Sequence, residues 1–183
     1  MNLPNKLTVA RMLSLPVLML CFAGTSKPAL WGAFIIFVAA SITDFVDGRI
    51  ARSRNLVTNL GKFLDPLADK ALVCTILVYF VAMGYAHPIA VILVLAREFV
   101  VSGVRMAAVT EGRVVAANIY GKAKTAFQMV SIAAILFLRA LDPSFPWLQT
   151  ASNVCCWIIA ALTAASGAVY VVDNKDVFKE KGE

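Results

Sequence analysis

The sequence predicts an all-α polytopic membrane protein, built as a bundle of six transmembrane helices. Of its 183 residues, 60% are hydrophobic, and the mean hydropathy is +0.79. A soluble domain of this length cannot bury so much apolar surface in one core. A helix needs roughly 20 mostly apolar residues to cross about 30 Å of hydrocarbon. Six stretches meet this requirement: 6–24, 29–54, 60–83, 87–109, 119–140 and 147–172.

The first stretch, 6–24, is the weakest of the six because Lys6 and Arg11 flank a short apolar run that Pro16 interrupts. Its position also resembles that of a signal peptide. However, no small-residue cleavage pattern follows it, and Arg11 lies within the helical register rather than before it. We therefore interpret this stretch as the first membrane helix.

The other five stretches do not alternate polar and apolar residues as the strands of an outer-membrane barrel do, so helices are the expected structure. The sequence contains no internal repeat and no linker long enough to separate domains. One membrane domain over residues 1–183 is therefore expected.

The basic residues indicate how the helices are oriented. With six spans, both termini and the turns at 49–62 and 105–124 face the same side, and most of the 17 Lys and Arg residues lie there. The Lys and Arg residues of the opposite loops are only Lys27 and Arg139. The positive-inside rule then places both termini in the cytosol, and topology rather than a nucleic-acid partner accounts for the net charge of +6.

Four aspartates lie at or near the ends of the second and third predicted spans. Each ionised side chain at bilayer depth costs about 2.5–3.5 kcal/mol on insertion scales, so the four need compensating partners. Asp44 and Asp47 share one helical face, as do Asp65 and Asp69. Because the turn at 53–60 is short, the two helices are expected to be antiparallel neighbours whose acidic faces meet.

Carboxylates that converge in one cavity repel each other unless cations lie between them. Hard oxygen ligands suit Mg²⁺ or Mn²⁺, and a pair of such ions can hold a diphosphate during displacement at phosphorus. Gly48 and Ala51 leave a groove on the same face as the first aspartates, and Arg52 can meet a phosphate bidentately. The sequence therefore predicts a pocket for two metal ions and a phosphate, open to the cytosol.

These residues resemble the complete signature of the CDP-alcohol phosphatidyltransferase family, with every spacing intact. In this chain the signature reads Asp44-x2-Asp47-Gly48-x2-Ala51-Arg52-x8-Gly61-x3-Asp65-x3-Asp69. The resemblance implies a six-helix, usually homodimeric enzyme that transfers a phosphatidyl group from CDP-diacylglycerol to an alcohol and releases CMP. The expected location is the inner (plasma) membrane, with the active site on the cytoplasmic side.

The resemblance also implies roles for individual residues. Asp44, Asp47, Asp65 and Asp69 would hold the two ions, and Asp69 would also be the general base that takes the proton of the acceptor hydroxyl. Metal-held geometry and exclusion of water can compensate for the weak basicity of a carboxylate. The residues expected to meet the nucleotide and its diphosphate are Thr8, Gly48, Ala51, Arg52 and Thr58.

The acceptor is inferred from cations in the fourth and fifth spans. Arg97 and Arg105 share a stripe of the fourth span, and two lysines open the fifth; clustered cations suit an acceptor that carries its own phosphate. With the opening segment 3–11, these blocks resemble the branch of the family whose acceptor is glycerol 3-phosphate. Arg97 is expected to be held by Glu98 or by a neighbouring helix. The predicted ligands of the acceptor phosphate are Arg105, Lys122 and Lys124.

Other interpretations remain open at this point. Inositol phosphate fits the basic residues on charge alone, and serine fits them less well. Lys122 and Lys124 could serve only topology and contacts with anionic headgroups. A divalent-cation transporter would also carry intramembrane carboxylates, but it predicts acidic residues continuing to the far side, which is acid-poor apart from Asp142. Gly103, Gly121 and Gly167 are interpreted as sites of close helix contact.

Overall fold

The computed structural model describes the backbone of residues 3–53, 59–110 and 119–173, and the side chains of 8–44, 68, 70–105 and 121–170. This part of the chain contains six helices and no strand. The helices are α1 (Leu3–Ala23), α2 (Lys27–Ser53), α3 (Asn59–Ala82), α4 (Pro88–Thr110), α5 (Ile119–Leu141) and α6 (Leu148–Asp173). The six predicted stretches are therefore confirmed as helices, each end within three residues of its predicted position.

Length and composition identify three membrane-crossing candidates among the described residues: Lys27–Asp44, Gly121–Leu141 and Leu148–Tyr170. Thr8–Ala23 and Lys70–Ala82 form shorter apolar helical segments. The protein is thus a helical membrane protein.

One proline lies inside a helix, another begins a helix, and a glycine forms part of the connection between α3 and α4. Pro16 lies within α1 without ending it. Pro88 is the first residue of α4, where the N–H group that proline lacks has no helical partner in any case. Between α3 and α4 the chain passes through Gly84, whose φ of +74° is a left-handed conformation that glycine adopts without steric cost. The Gly84 carbonyl accepts a hydrogen bond from Asn153 Nδ2 at 3.0 Å.

The chain divides into two compact units, one formed by Met1–Met83 with Ile132–Leu148 and the other by Gly84–Ser131 with Gln149–Glu183. In the first unit, α1 packs against both α2 and α3. In the second, the side chains of Val101, Val104 and Tyr170 form a buried apolar cluster between α4 and α6.

A buried arginine in the first unit is held by an aromatic pair. Arg139 Nη1 donates a hydrogen bond of 2.6 Å to Tyr79 Oη, and the guanidinium also lies 5.1 Å from the centre of the tyrosine ring. Tyr79 Oη in turn donates to the Phe22 carbonyl at 3.0 Å, and the two rings stack at 3.9 Å. This chain of contacts provides Arg139 with both a hydrogen-bond acceptor and a cation–π partner, so that its charge can be buried.

Candidate active site

The backbones of α2 and α3 are helical through the positions of the predicted signature. Asp44 and Asp47 therefore lie one turn apart on α2, and Asp65 and Asp69 one turn apart on α3. The structure describes the side chain of Asp44 among these four. The other signature and nucleotide-site predictions lie outside the described side chains: Asp47, Gly48, Ala51, Arg52, Thr58, Gly61, Asp65 and Asp69.

Asp44 is anchored by an arginine from a different helix. Arg11 Nη1 on α1 donates to Asp44 Oδ1 at 2.5 Å. The Arg11 side chain is only 2% exposed, whereas that of Asp44 is 39% exposed. The buried guanidinium therefore orients a carboxylate that remains accessible, because a charge-assisted hydrogen bond is both short and directional. This contact was not predicted from the sequence, because Arg11 and Asp44 are 33 residues apart in the chain.

Thr8 lies one turn before Arg11 on α1, so the two residues occupy the same face of that helix. Its side chain is buried, with 1% of its surface exposed. Because α1 packs against both helices of the signature, this face is suitably placed to contribute to a site formed by them. The nucleotide contact of Thr8 remains a prediction.

The second unit contains an ionic group that we call the Glu98 cluster, defined by Arg97, Glu98, Lys124 and Ser166. Glu98 Oε1 accepts hydrogen bonds from Lys124 Nζ at 2.6 Å and from Arg97 Nη1 at 3.2 Å. Arg97 Nη2 also donates to Ser166 Oγ on α6 at 3.1 Å. The prediction that Arg97 is held by Glu98 or by a neighbouring helix is thus confirmed in both of its forms.

The three predicted acceptor ligands occupy different environments. Lys124 is buried, with 2% of its side chain exposed. Arg105 is half-buried, and its guanidinium carbon lies 5.6 Å from the centre of the Tyr170 ring. Lys122 is exposed and, being two residues from Lys124, points to a different side of α5. Their binding of an acceptor phosphate remains a prediction.

The glycines of the second unit also differ. A Cβ atom at Gly167 would lie 2.9 Å from Arg97 Cγ, so close contact with Arg97 requires glycine there. A Cβ at Gly103 would meet no described atom within 4 Å. The predicted close contact is therefore confirmed at Gly167 and not observed at Gly103.

The described residues contain no group of three or more side chains that could hold a metal ion. Three of the four predicted ligands lie outside the side chains searched. The donor set itself fits a hard divalent ion, because it consists of four carboxylates at helical spacing on α2 and α3. The accessible carboxylate of Asp44 agrees with that fit.

Comparison with known proteins agrees with the motif. A model of the CDP-alcohol phosphatidyltransferase family matches residues 1–166. A protein of Bacillus subtilis (strain 168) is 39% identical, and one of Rickettsia bellii (strain RML369-C) is 40% identical, each over 97% of both chains. A third, from Escherichia coli (strain K12), is 34% identical over 93% of both chains. All three carry the name CDP-diacylglycerol–glycerol-3-phosphate 3-phosphatidyltransferase. With its complete signature and a match over nearly its whole length, this chain belongs to the CDP-alcohol phosphatidyltransferase family.

Proposed function

We propose that the protein transfers the phosphatidyl group of CDP-diacylglycerol to sn-glycerol 3-phosphate, giving phosphatidylglycerol phosphate and CMP. The observation that carries this proposal is the similarity, over nearly full length, to relatives named for that reaction. The family match supports the transfer, and the names of the relatives support the acceptor.

In the proposed reaction, a hydroxyl oxygen of glycerol 3-phosphate forms a bond to the phosphorus that carries diacylglycerol. The bond between this phosphorus and the oxygen of CMP breaks, and CMP leaves with the electron pair. Asp69 accepts the proton of the attacking hydroxyl. Holding the hydroxyl and the phosphorus in a reactive orientation supplies much of the rate enhancement, because the reaction then no longer depends on random encounter.

Divalent ions, two Mg²⁺ or Mn²⁺, would neutralise charge on the diphosphate when bound. Asp44, Asp47, Asp65 and Asp69 are the proposed ligands. Arg11 supports this assignment, since it holds the carboxylate of Asp44 in one orientation from the buried side. The proposed nucleotide and diphosphate contacts are Thr8, Gly48, Ala51, Arg52 and Thr58.

We assign the acceptor phosphate to Arg105, Lys122 and Lys124. Glycerol 3-phosphate is an anion, and guanidinium and ammonium groups bind phosphate through charge-assisted hydrogen bonds. Arg105 and Lys124 lie on two helices of the second unit, on α4 and α5 respectively.

We also infer that all six helices span the inner (plasma) membrane, with both termini and the active site facing the cytosol, and that the enzyme is a homodimer. The distribution of Lys and Arg along the sequence supports this orientation. In addition to the three candidate spans, the described parts of α1 and α3 contain the apolar segments Thr8–Ala23 and Lys70–Ala82.

The function is tested by measuring CMP release from CDP-diacylglycerol by the purified protein in the presence of Mg²⁺. Glycerol 3-phosphate, inositol phosphate and serine are compared as acceptors, with each substrate omitted in turn as a control. We expect CMP release with glycerol 3-phosphate only. Release with inositol phosphate or serine alone would overturn the acceptor, and no release with any acceptor under Mg²⁺ or Mn²⁺ would overturn the reaction.

A further inference from the structure

The carboxylate of Glu98 is the point at which polar contacts join three helices of the second unit. Its Oε1 atom accepts from Arg97 Nη1 on the same helix and from Lys124 Nζ on α5. Arg97 extends the connection to α6 through its hydrogen bond to Ser166 Oγ. Ser166 Oγ is itself fixed, because it donates to the Thr163 carbonyl at 3.1 Å.

The Arg97 side chain is held along its length as well as at its end. The base of the side chain crosses α6 at Gly167, where a Cβ atom would lie 2.9 Å from Arg97 Cγ and 3.6 Å from Arg97 Nε. Glycine therefore lets the arginine lie against the helix. As a result, the guanidinium reaches Glu98 and Ser166 with its aliphatic stem already constrained.

The lysine of the cluster is constrained in a different way. Lys124 has 2% of its side chain exposed, although lysine is a long, flexible side chain that is almost never fully buried unless its charge is paired. An ammonium group has three N–H donors but no planar geometry that would fix their directions. The hydrogen bond of 2.6 Å to Glu98 fixes the position of the Lys124 ammonium group, which the flexible side chain alone would not do.

We propose that Glu98 is a positioning residue for the acceptor: it orients the Lys124 ammonium so that this cation meets the acceptor phosphate in one geometry, while Arg97 holds Glu98 in place. This inference rests on the proposed function, in which Lys124 binds that phosphate. Glu98 itself does not touch the phosphate, since two anionic groups repel each other. Its effect on binding is transmitted through Lys124, which it holds.

Glu98 could instead weaken phosphate binding by contributing a competing negative charge, and substitution of Glu98 by glutamine distinguishes this effect from a positioning role. If Glu98 acted only as a competing negative charge, then Glu98→Gln would strengthen binding of an anionic acceptor and lower the KM for glycerol 3-phosphate. If Glu98 orients the Lys124 ammonium, the same substitution weakens binding. Glutamine keeps the shape of the side chain, but a neutral acceptor makes hydrogen bonds roughly half as strong as a charged one.

We expect Glu98→Gln to raise the KM for glycerol 3-phosphate about 10-fold or more, the size of effect seen when an orienting partner is removed from a ligand-binding group. The KM for CDP-diacylglycerol should stay within about 2-fold of the wild-type value, because the nucleotide is assigned to other residues. Both constants are obtained from CMP release, with one substrate varied and the other saturating. A lower or unchanged KM for glycerol 3-phosphate would overturn the proposal.

Two glycine substitutions provide a test that leaves every charge in place. Gly167→Ala displaces the Arg97 stem and should also raise the KM for glycerol 3-phosphate, by a smaller factor than Glu98→Gln. Gly103→Ala adds the same methyl group on α4, where no described atom lies within 4 Å of it, and should change neither KM. Equal effects of the two alanine substitutions would contradict a specific role for Arg97.

Thermal unfolding in detergent, with and without inorganic phosphate, separates this inference from the proposed function. We expect phosphate to raise the unfolding midpoint of the wild-type protein and to raise that of Glu98→Gln less. This result would support the positioning role even if glycerol 3-phosphate proved not to be the acceptor. The role is overturned if phosphate has no effect on the wild type, if it has equal effects on both proteins, or if the substitution lowers the midpoint and alters kcat and both KM values together.

Discussion

Replacement of Asp44 by asparagine is expected to lower kcat for CMP release by about 10²–10³-fold, the loss typical when one preorganised electrostatic group is removed from an active site. Asparagine has nearly the same shape as aspartate but lacks its negative charge, so it is a poorer ligand for a hard divalent ion. It also removes the charge that pairs with Arg11, whose side chain is 2% exposed. CMP release at saturating concentrations of both substrates measures the effect.

The matched control is Asp142→Asn, which makes the same change in the loop after α5. The hydroxyl and the backbone N–H of Ser144 donate to the Asp142 carboxylate and hold its pKa below the usual value, and Lys27 lowers it further, so the substitution does remove a charge. Lys27, which interacts with Asp142, is the first residue of α2 and lies roughly 26 Å along the helix from Asp44, at 1.5 Å per residue. The control substitution is therefore far from the candidate site. Asp142→Asn should leave kcat unchanged. If the two variants behaved alike, Asp44 would have no special role.

Replacement of Arg11 by methionine should lower both the activity and the stability of the protein. Methionine fills much of the buried space but cannot donate to Asp44, so the link between α1 and α2 is lost. We expect a cost of about 2 kcal/mol, less than for a fully buried pair because Asp44 is 39% exposed. The thermal unfolding midpoint in detergent should fall. Loss of orientation at Asp44 should lower kcat about 10–100-fold.

Arg11→Lys is the informative companion to that variant. Lysine keeps the positive charge but presents a point charge rather than a planar fork, so it should restore most of the stability and only part of the activity. If Arg11 served only membrane topology, as its position in the sequence also allows, both variants would retain wild-type kcat. Arg11→Lys would then be indistinguishable from the wild type in every assay.

The helices of the protein could be predicted from the sequence because their signals are local. Apolar runs of spanning length, separated by charges, Pro and Gly, located all six helices, and Pro16 did not prevent α1 from forming. A partner for Arg97 was also predictable, since a charged side chain within a membrane span needs one, and Glu98 is the nearest acidic residue in the chain. The signature aspartates were recognised because their spacing along the chain is also a local signal.

The contacts that organise the candidate site could not be predicted in the same way. The Arg11–Asp44 pair joins residues 33 apart in the chain, and the Lys124–Glu98 pair joins residues 26 apart. Helical periodicity states which residues share a face but not which face of another helix they meet. Lys124 was predicted among cations near the cytosolic side, but the sequence did not indicate that its side chain is buried and pairs with Glu98 of α4. Similarly, nothing in the sequence distinguishes Gly167, which contacts Arg97, from Gly103, which does not.

In the proposed mechanism, phosphatidyl transfer takes place at the four-aspartate signature, and Asp69 accepts the proton of glycerol 3-phosphate. The most direct test compares CMP release by Asp69→Asn with that by the wild type in matched amounts, with CDP-diacylglycerol, glycerol 3-phosphate and Mg²⁺ all saturating. We expect CMP release by the wild type to depend on glycerol 3-phosphate and the variant to lose about 10²–10⁴-fold in rate, the usual contribution of a general base. Release of CMP by Asp69→Asn at the wild-type rate would show that Asp69 is not the general base.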